Sequence, residues 1–299
     1  MPRRFVLVVA LVLALTACTG GPAGTPTPTS TTGKKPPVER VYVSLGDSFA
    51  TGYRPADNGV PAGTGRGSFA DLVATRSGLR LINLACNGTT SSSVRDTPGC
   101  TPENRALDAP DPGNQTQLDE AVHALADHQG EVGLVTVVLG GNDLAPCALS
   151  KDAQAALTCA SDAVATIQRN LAAILPALRE AAGDAEIVGL TYPDVFLGAW
   201  VSPAFPDGQN LARLSVPMFR DFFNKTLKSE YDKIDAKFVD ITEATGGYEP
   251  LTDITQNPTY GPIPTPVAKV CELTYFCTHT DVHPTPAGHQ AIAAAVTGR

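Results

Sequence analysis

The chain has 299 residues, of which 43% are apolar and 17% are charged, and this composition excludes collagen, coiled-coil and fully disordered classes. Thirty acidic residues against 22 basic ones give a formal charge of −8 at pH 7, the wrong sign for a nucleic-acid partner. The one long apolar run, Phe5 to Leu15, is shorter than the roughly 20 residues that cross a bilayer as a helix, so we predict a globular protein without a mature transmembrane helix.

Residues 1–17 have the pattern of a secretory signal peptide. Arg3 and Arg4 precede the apolar run, and small residues end it before Cys18. The Leu-Thr-Ala-Cys tetrad that ends at Cys18 resembles the lipobox of bacterial lipoproteins, whose cysteine becomes the first mature residue and carries a diacylglycerol. The alternative is an ordinary signal peptide with a cysteine at its cleavage site. We predict an extracytoplasmic protein that Cys18 anchors to the outer face of the cell membrane, with some of it released.

Residues 18–37 are predicted to be a disordered tether. They consist largely of Gly, Pro, Thr and Ser and contain almost nothing to bury. The folded part then covers residues 38–299, which is long enough for one α/β domain with a substantial core.

Short apolar runs alternate with helical patterns through this domain. We predict strands at Val41–Leu45, Leu79–Ala85, Val132–Leu139, Ala185–Leu190 and Lys237–Ile241. We predict helices at Phe69–Arg76, Gln117–His128, Asp152–Ala182 (interrupted or kinked at Pro176), Val216–Ile234 and Pro286–Val296. Strands that alternate with helices imply a parallel sheet covered on both faces, with a site at the carboxyl ends of the strands. Loops over that site are predicted at Arg54–Gly67, Val195–Asn210 and Gly246–Lys269.

Six cysteines besides Cys18 lie in the domain, and an even number in an exported chain predicts three disulfides. Short gaps between sequence neighbours favour the pairs Cys86 with Cys100, Cys147 with Cys159, and Cys271 with Cys277. We predict no metal site, because no two cysteines have the C-x-x-C spacing of zinc ligands.

Four short polar blocks follow predicted strands or lie near the C-terminus. They are Gly46-Asp47-Ser48, Ala85-Cys86-Asn87-Gly88-Thr89, Gly140-Gly141-Asn142-Asp143 and Asp281-Val282-His283-Pro284. A serine at a strand-to-helix turn suits a nucleophile, although a helix N-cap is the alternative reading of Ser48. A histidine, with an ordinary pKa of about 6.5, can take the proton of a serine hydroxyl and return it to a leaving group, and His283 is the best candidate.

In this order the blocks resemble those of the SGNH hydrolases, also called the GDSL esterase and lipase superfamily. The resemblance implies an α/β fold, a flavodoxin-like three-layer α/β/α sandwich with a central five-stranded parallel sheet. It implies Ser48 as the nucleophile and His283 as the general base. It also implies an oxyanion hole formed by the Ser48 amide, the Gly88 amide and the Asn142 side chain, with no metal or cofactor.

The chain departs from the family pattern at two positions. Phe49 follows the serine where the family usually has leucine, which should affect packing more than chemistry. The family's last block commonly has aspartate three residues before the histidine, but here that residue is Thr280 and the nearest acid is Asp281. Either Asp281 reaches the imidazole by a different backbone path, or another acceptor such as a main-chain carbonyl orients His283 in a dyad. We predict Asp281.

The sequence therefore predicts a membrane-tethered, monomeric serine esterase or lipase that hydrolyses carboxylic esters through an acyl-enzyme. An acyl lipid, an O-acylated glycan and a small soluble ester all remain open as its substrate. Candidates to line an acyl site are Trp200, Phe205, Phe219, Phe222 and Phe223, the last three with a helix core as their alternative role. Two other functions are compatible with the motifs: an acyltransferase acting on cell-envelope glycans, and a catalytically silent lipoprotein that binds glycans.

Overall fold

The computed structural model describes residues 39–149 and 153–298. The predicted signal peptide, Cys18 and the tether lie outside the described residues. Within the described part, no helix combines the length and the hydropathy needed to cross a membrane.

The centre of the domain is a five-stranded parallel sheet with the strand order β2-β1-β3-β4-β5. The strands are β1 (Val41–Gly46), β2 (Arg80–Asn83), β3 (Val132–Val138), β4 (Glu186–Leu190) and β5 (Lys237–Val239). Every residue of β1 is buried, which fits a central strand covered on both faces. The predicted five-stranded parallel sheet is confirmed.

The polar side chains inside this sheet are paired with each other. The Tyr42 hydroxyl lies 2.6 Å from the Thr136 hydroxyl across β1 and β3. Thr136 in turn donates to Ser44 Oγ at 3.2 Å. Buried hydroxyls that bond to each other avoid the cost of an unpaired polar group in the core.

Helices cover both faces of the sheet, which confirms the three-layer α/β/α sandwich. Their bounds are α1 (Ser48–Thr51), α2 (Phe69–Ser77), α3 (Ser93–Asp96), α4 (Gln117–Asp127), α5 (Gly141–Leu144), α6 (Ala153–Ala182), α7 (Gly208–Pro217), α8 (Asn224–Asp232), α9 (Ile241–Ala244), α10 (Thr265–Leu273), α11 (Phe276–His279) and α12 (Pro286–Thr297). Helix α2 packs against α12, and α6 packs against both α4 and α8. Ser68 and Thr116 begin α2 and α4 with capping boxes, as expected for a hydroxyl residue with an acid three residues later.

The strand order creates a switch point beside β1. The chain runs from β1 to β2 on one side of it and then to β3 on the other side. Loops that leave such neighbouring strands in opposite directions open a crevice at their carboxyl ends, where α/β proteins bind ligands. The first three sequence blocks follow β1, β2 and β3 and therefore converge on this crevice.

Two of the three predicted loops contain regular structure, which corrects the sequence analysis. Residues Val195–Trp200 form a 3₁₀ helix, and α7 begins at Gly208. The segment predicted as a loop at Gly246–Lys269 contains an antiparallel hairpin, β6 (Ile254–Asn257) with β7 (Gly261–Pro264), and the start of α10. The prolines of this segment are compatible with the structure, because proline is tolerated in an edge strand and in the first turn of a helix.

The helix predicted at Val216–Ile234 is divided in the structure. Helix α7 ends at Pro217, a π-helical turn covers Met218–Phe223, and α8 follows. Proline lacks the amide that would continue the hydrogen-bond ladder, which accounts for the change of helix type there. Helix α6, by contrast, continues through Pro176 without a break, so of the predicted interruption or kink the interruption is wrong.

Three disulfides link neighbouring segments of the domain. They join Cys86 to Cys100, Cys147 to Cys159, and Cys271 to Cys277. These are the pairs that the short sequence gaps predict.

Candidate active site

The serine block lies at the sharp turn between β1 and α1. Asp47 caps α1, because its Oδ1 accepts a hydrogen bond from the Phe49 amide at 3.0 Å. Gly46 has a φ of +144°, and a Cβ at this position would lie 2.5 Å from atoms of Val138. Only glycine fits this turn. The turn places Ser48 at the carboxyl edge of the sheet with 8% of its surface exposed.

A chain of three polar side chains begins at this serine. His283 Nε2 lies 2.8 Å from Ser48 Oγ, and His283 Nδ1 lies 2.8 Å from Asp281 Oδ1. Burial alone would raise the pKa of Asp281, but the hydrogen bonds and charge of His283 outweigh burial and hold this pKa below its ordinary value. The arrangement has the order and spacing of a nucleophile, a base and the carboxylate that orients the base.

An unusual backbone path brings Asp281 to the imidazole. Thr280, which stands where the family has aspartate, has a left-handed φ of +53°. Asp281 Oδ1 accepts the backbone amide of His283 at 2.9 Å as well as contacting its ring. The Tyr275 amide donates to the His283 carbonyl at 3.0 Å and fixes the segment from the other side. Of the two alternatives, Asp281 itself or a main-chain carbonyl as the partner of His283, the structure therefore has Asp281.

The two backbone amides predicted to bind an oxyanion, those of Ser48 and Gly88, have no hydrogen-bond partner among the described residues. Gly88 follows β2 and has a φ of +78°. In the part of the chain that the structure describes, neither the Gly88 amide nor the Ser48 amide donates a hydrogen bond. Thr51 Oγ1 donates to Asn87 Oδ1 at 2.6 Å and ties α1 to the loop that carries Gly88. Neither amide is therefore committed to another acceptor among the described residues.

Asn142 stands at the start of α5, directly after β3. Its Nδ2 donates to the Thr89 carbonyl at 3.0 Å and lies 3.4 Å from Asp47 Oδ2. The next residue, Asp143, accepts hydrogen bonds from the Ser91 amide at 2.8 Å and from the Ser91 hydroxyl at 2.6 Å. Asn142 therefore links its own block to the serine block through Asp47 and to the glycine block through Thr89.

Sequence reasoning missed a buried tyrosine that belongs to this network. Tyr192 follows β4, and its hydroxyl donates to Asp47 Oδ2 at 2.6 Å. Burial raises the pKa of Asp47 to about 6, although the bonds from Tyr192 and the Phe49 amide act against the shift. Burial, and then the charge of Asp47, raise the pKa of Tyr192 well above its ordinary value. The only sequence signal for Tyr192 was its place at the carboxyl end of a predicted strand.

A second missed residue, Gln117, holds the turn before the serine. Its Oε1 accepts the Gly46 amide and its Nε2 donates to the Gly46 carbonyl, each at 3.0 Å. Gln117 is the first residue of α4 and is 7% exposed. Nothing in the sequence distinguishes it from an ordinary polar residue at a helix start.

An apolar cavity of about 130 Å³ adjoins Ser48 and His283. Its apolar lining includes Phe49, Leu144, Val195, Phe196, Phe219 and Phe223. Two of the five aromatic candidates from the sequence, Phe219 and Phe223, are thus among its lining residues. The other three are not: Phe205 stacks on Phe276, Trp200 contacts Arg213, and Phe222 packs at the edge of the main core.

The remaining histidines near the site have structural contacts. His289 Nδ1 accepts the Phe69 amide at 3.2 Å, and burial lowers the pKa of His289 to about 4. His279 Nε2 lies 3.5 Å from Asp57. Among the described residues, no group of three or more His, Cys, Asp or Glu side chains is arranged to hold a metal ion.

A five-stranded parallel sheet with these four blocks at its carboxyl edge defines an SGNH-type hydrolase fold. The model of the GDSL-like lipase/acylhydrolase family matches residues 44–291. The chain belongs to this family, which confirms the resemblance predicted from the sequence.

Several solved structures share the fold at low sequence identity. An extracellular lipase from Streptomyces rimosus is 19% identical with a TM-score of 0.55, covering 87% of this chain and 99% of that one. Phospholipase A1 from Streptomyces albidoflavus is 17% identical with a TM-score of 0.52, covering 87% and 98%. A lipase from a goat rumen metagenome is 17% identical with a TM-score of 0.51, covering 87% and 96%. Comparison with curated protein sequences gives no significant match.

Proposed function

We propose that the protein is a serine esterase that hydrolyses carboxylic esters through an acyl-enzyme formed on Ser48. The observation that carries the proposal is the chain of two 2.8 Å contacts from Ser48 to His283 to Asp281, beside an apolar cavity. Membership of the GDSL-like lipase/acylhydrolase family supports the same chemistry.

In the first half-reaction, Ser48 Oγ attacks the ester carbonyl carbon while His283 Nε2 removes the hydroxyl proton. Asp281 stabilises the imidazolium that forms, since its carboxylate contacts the other ring nitrogen. The tetrahedral intermediate collapses when the alkoxide leaves with the proton from His283. In the second half-reaction, His283 deprotonates a water molecule that attacks the acyl-enzyme, and the carboxylic acid and free Ser48 are released.

The oxyanion of each tetrahedral intermediate would be bound by the amides of Ser48 and Gly88 and by the Asn142 side chain. The two amides support this role because both are unpaired within the described residues. A preorganised donor of this kind typically contributes about 3 to 4 kcal/mol to the transition state.

The cavity favours a short acyl group. Its volume of about 130 Å³ is close to the roughly 150 Å³ of an apolar protein cavity that takes up benzene, and it is well below the size of typical ligand clefts. We therefore propose an acyl chain of about four to six carbons, by comparison with that six-carbon ligand. Such a chain occurs on lipids, on acylated glycans and on small esters, so the alcohol part of the substrate stays open.

We further propose that Cys18 carries a lipid that anchors the enzyme to the outer face of the cell membrane. The lipobox-like tetrad in the sequence supports this location. The three disulfides support an extracytoplasmic compartment, because disulfides persist where thiols are not kept reduced.

The test is hydrolysis of p-nitrophenyl esters of increasing chain length by the purified protein. We expect the highest kcat/KM at about four to six carbons, a loss of about 10⁶-fold in kcat for Ser48→Ala with unchanged Tm, and labelling of Ser48 by a fluorophosphonate. Phe219→Ala should shift the optimum to longer chains, whereas Phe222→Ala, from the same turn but outside the cavity, should not. Wild-type rates in Ser48→Ala would refute the nucleophile, and an optimum at long chains would refute the acyl site.

A further inference from the structure

The Asp47 carboxylate is buried at the centre of the site and has three donors around it. Asp47 is 1% exposed. Its Oδ1 accepts the Phe49 amide, and its Oδ2 faces both the Tyr192 hydroxyl at 2.6 Å and Asn142 Nδ2 at 3.4 Å. A buried carboxylate is stable only when such donors satisfy it. The 2.6 Å contact has the length of a strong, charge-assisted O–H···O⁻ bond, so Tyr192 is the dominant partner of Oδ2.

Contacts with Phe49 and Gly141 fix the Tyr192 ring. Phe49 meets it edge-to-face with ring centroids 4.9 Å apart. The ring also lies against Gly141, where a Cβ would come within 2.8 Å of it. Tyr192 therefore touches the backbone immediately before Asn142 and also holds the carboxylate that Asn142 faces.

The side-chain amide of Asn142 has two hydrogens, and only one of them makes a hydrogen bond of normal length. The Thr89 carbonyl receives one at 3.0 Å, an ordinary hydrogen-bond length. The 3.4 Å contact with Asp47 is longer than a normal N–H···O bond and correspondingly weak. Since the Tyr192 hydroxyl already donates a hydrogen bond to Oδ2, Asp47 attracts the second Asn142 hydrogen less strongly.

We propose that Tyr192 is a positioning residue for the oxyanion hole: its hydroxyl satisfies Asp47 and so leaves one N–H of Asn142 to the developing oxyanion. The inference rests on the proposed role of Asn142. Without the Tyr192 hydroxyl, Asn142 Nδ2 is the one remaining donor to Asp47 Oδ2 among the described residues, and the Asn142 hydrogen is drawn away from the reacting carbonyl. Removing the hydroxyl therefore destabilises the transition state more than the bound ester, because the oxyanion binds that hydrogen more strongly than the neutral ester carbonyl does.

The test is a double-mutant cycle with Tyr192→Phe and Asn142→Ala, read as kcat and KM for a short-chain ester. Tyr192→Phe keeps the ring and removes only the hydroxyl. We expect kcat to fall about tenfold with KM within about twofold, and Asn142→Ala to lower kcat by about 10²- to 10³-fold. In the Asn142→Ala background, Tyr192→Phe should change kcat by less than about twofold, because the group it acts through is absent.

Tyr42→Phe is the matched control, since Tyr42 is also buried and its hydroxyl makes a 2.6 Å bond, but to Thr136 inside the sheet. It should lower Tm and leave kcat unchanged. An equal loss of kcat from Tyr192→Phe in both backgrounds, or a change in KM alone, overturns the inference. If Asn142→Ala itself keeps the wild-type kcat, the proposed oxyanion role of Asn142 has failed, and the inference falls with it.

Discussion

Replacing Gln117 by alanine removes both hydrogen bonds that hold Gly46 at the turn into the serine. The Gly46 carbonyl keeps a partner, because the Cys86 amide also donates to it at 3.1 Å. The Gly46 amide loses its Gln117 acceptor, and because Gly46 is buried we expect this amide to become an unpaired buried donor. Such a donor costs about 1 to 3 kcal/mol, and the second lost bond costs about 1 kcal/mol more.

We therefore expect the free energy of unfolding of Gln117→Ala to be about 2 to 4 kcal/mol lower than that of the wild type. For a domain of this size, each kcal/mol corresponds to about 2 to 4 °C in Tm, so calorimetry should show a Tm decrease of about 5 to 15 °C. The esterase kcat, measured well below Tm, should also fall, because Ser48 follows the released turn by two residues.

Gln115→Ala is the matched control, as it removes the same side chain two residues earlier, where Gln115 bonds to His123 at the surface. It should change Tm by less than about 2 °C, as surface substitutions usually do. A Tm decrease for Gln117→Ala no larger than that of Gln115→Ala would refute the reasoning from the buried amide.

Three further predictions concern the base, the buried histidine and the oxyanion loop. Asp281→Asn should lower the esterase kcat by about 10³- to 10⁴-fold, less than Ser48→Ala, since the base loses its orienting charge but remains. His289 is neutral in the fold, with its pKa lowered to about 4, so the unfolded chain takes up the extra proton and stability falls as pH drops from about 6.5 to 4. His289→Asn should reduce that decrease by about 3 kcal/mol in denaturant titrations. Replacing both cysteines of the Cys86–Cys100 disulfide by serine should cost about 3 kcal/mol of stability and also lower kcat, because Gly88 lies within the closed loop.

Each of these has a definite contradicting result. A kcat for Asp281→Asn equal to the wild type would mean that another acceptor orients His283. An unchanged pH slope in His289→Asn would assign the acid sensitivity to other groups. The Cys147–Cys159 disulfide closes a loop of similar length that does not contain Gly88, so its removal should lower Tm to a similar degree with a smaller loss of kcat. Equal kcat losses from the two disulfides would indicate general destabilisation instead.

Much of the fold was predictable because its signals are local. The strands are short apolar runs, and the polar blocks stand at the ends of β1, β2 and β3, where the parallel topology brings them together. The cysteine pairs were predictable from their short gaps. The hairpin β6–β7 was not predictable, because a segment that contains prolines is equally compatible with a loop.

The contacts that complete the site are not local, and the sequence did not reveal them. Tyr192 meets Asp47 across 145 residues, and Gln117 meets Gly46 across 71. Each is a single polar residue beside an apolar segment, and its role exists only once the sheet order is known. Asp281 lies between these cases: its sequence position left two paths open, and the left-handed Thr280 decides the geometry.

The distance along the chain between Ser48 and His283 has a consequence for when this hydrolase first becomes active. The two side chains that meet at 2.8 Å are separated by 235 residues. Contacts between such remote segments close late in folding, and a chain made from its N-terminus has its first strand in place long before its last helix exists. A growing or truncated chain therefore holds a serine without its base. Ester cleavage begins only after the C-terminal segment docks, so hydrolytic activity itself reports that the chain has been finished and folded.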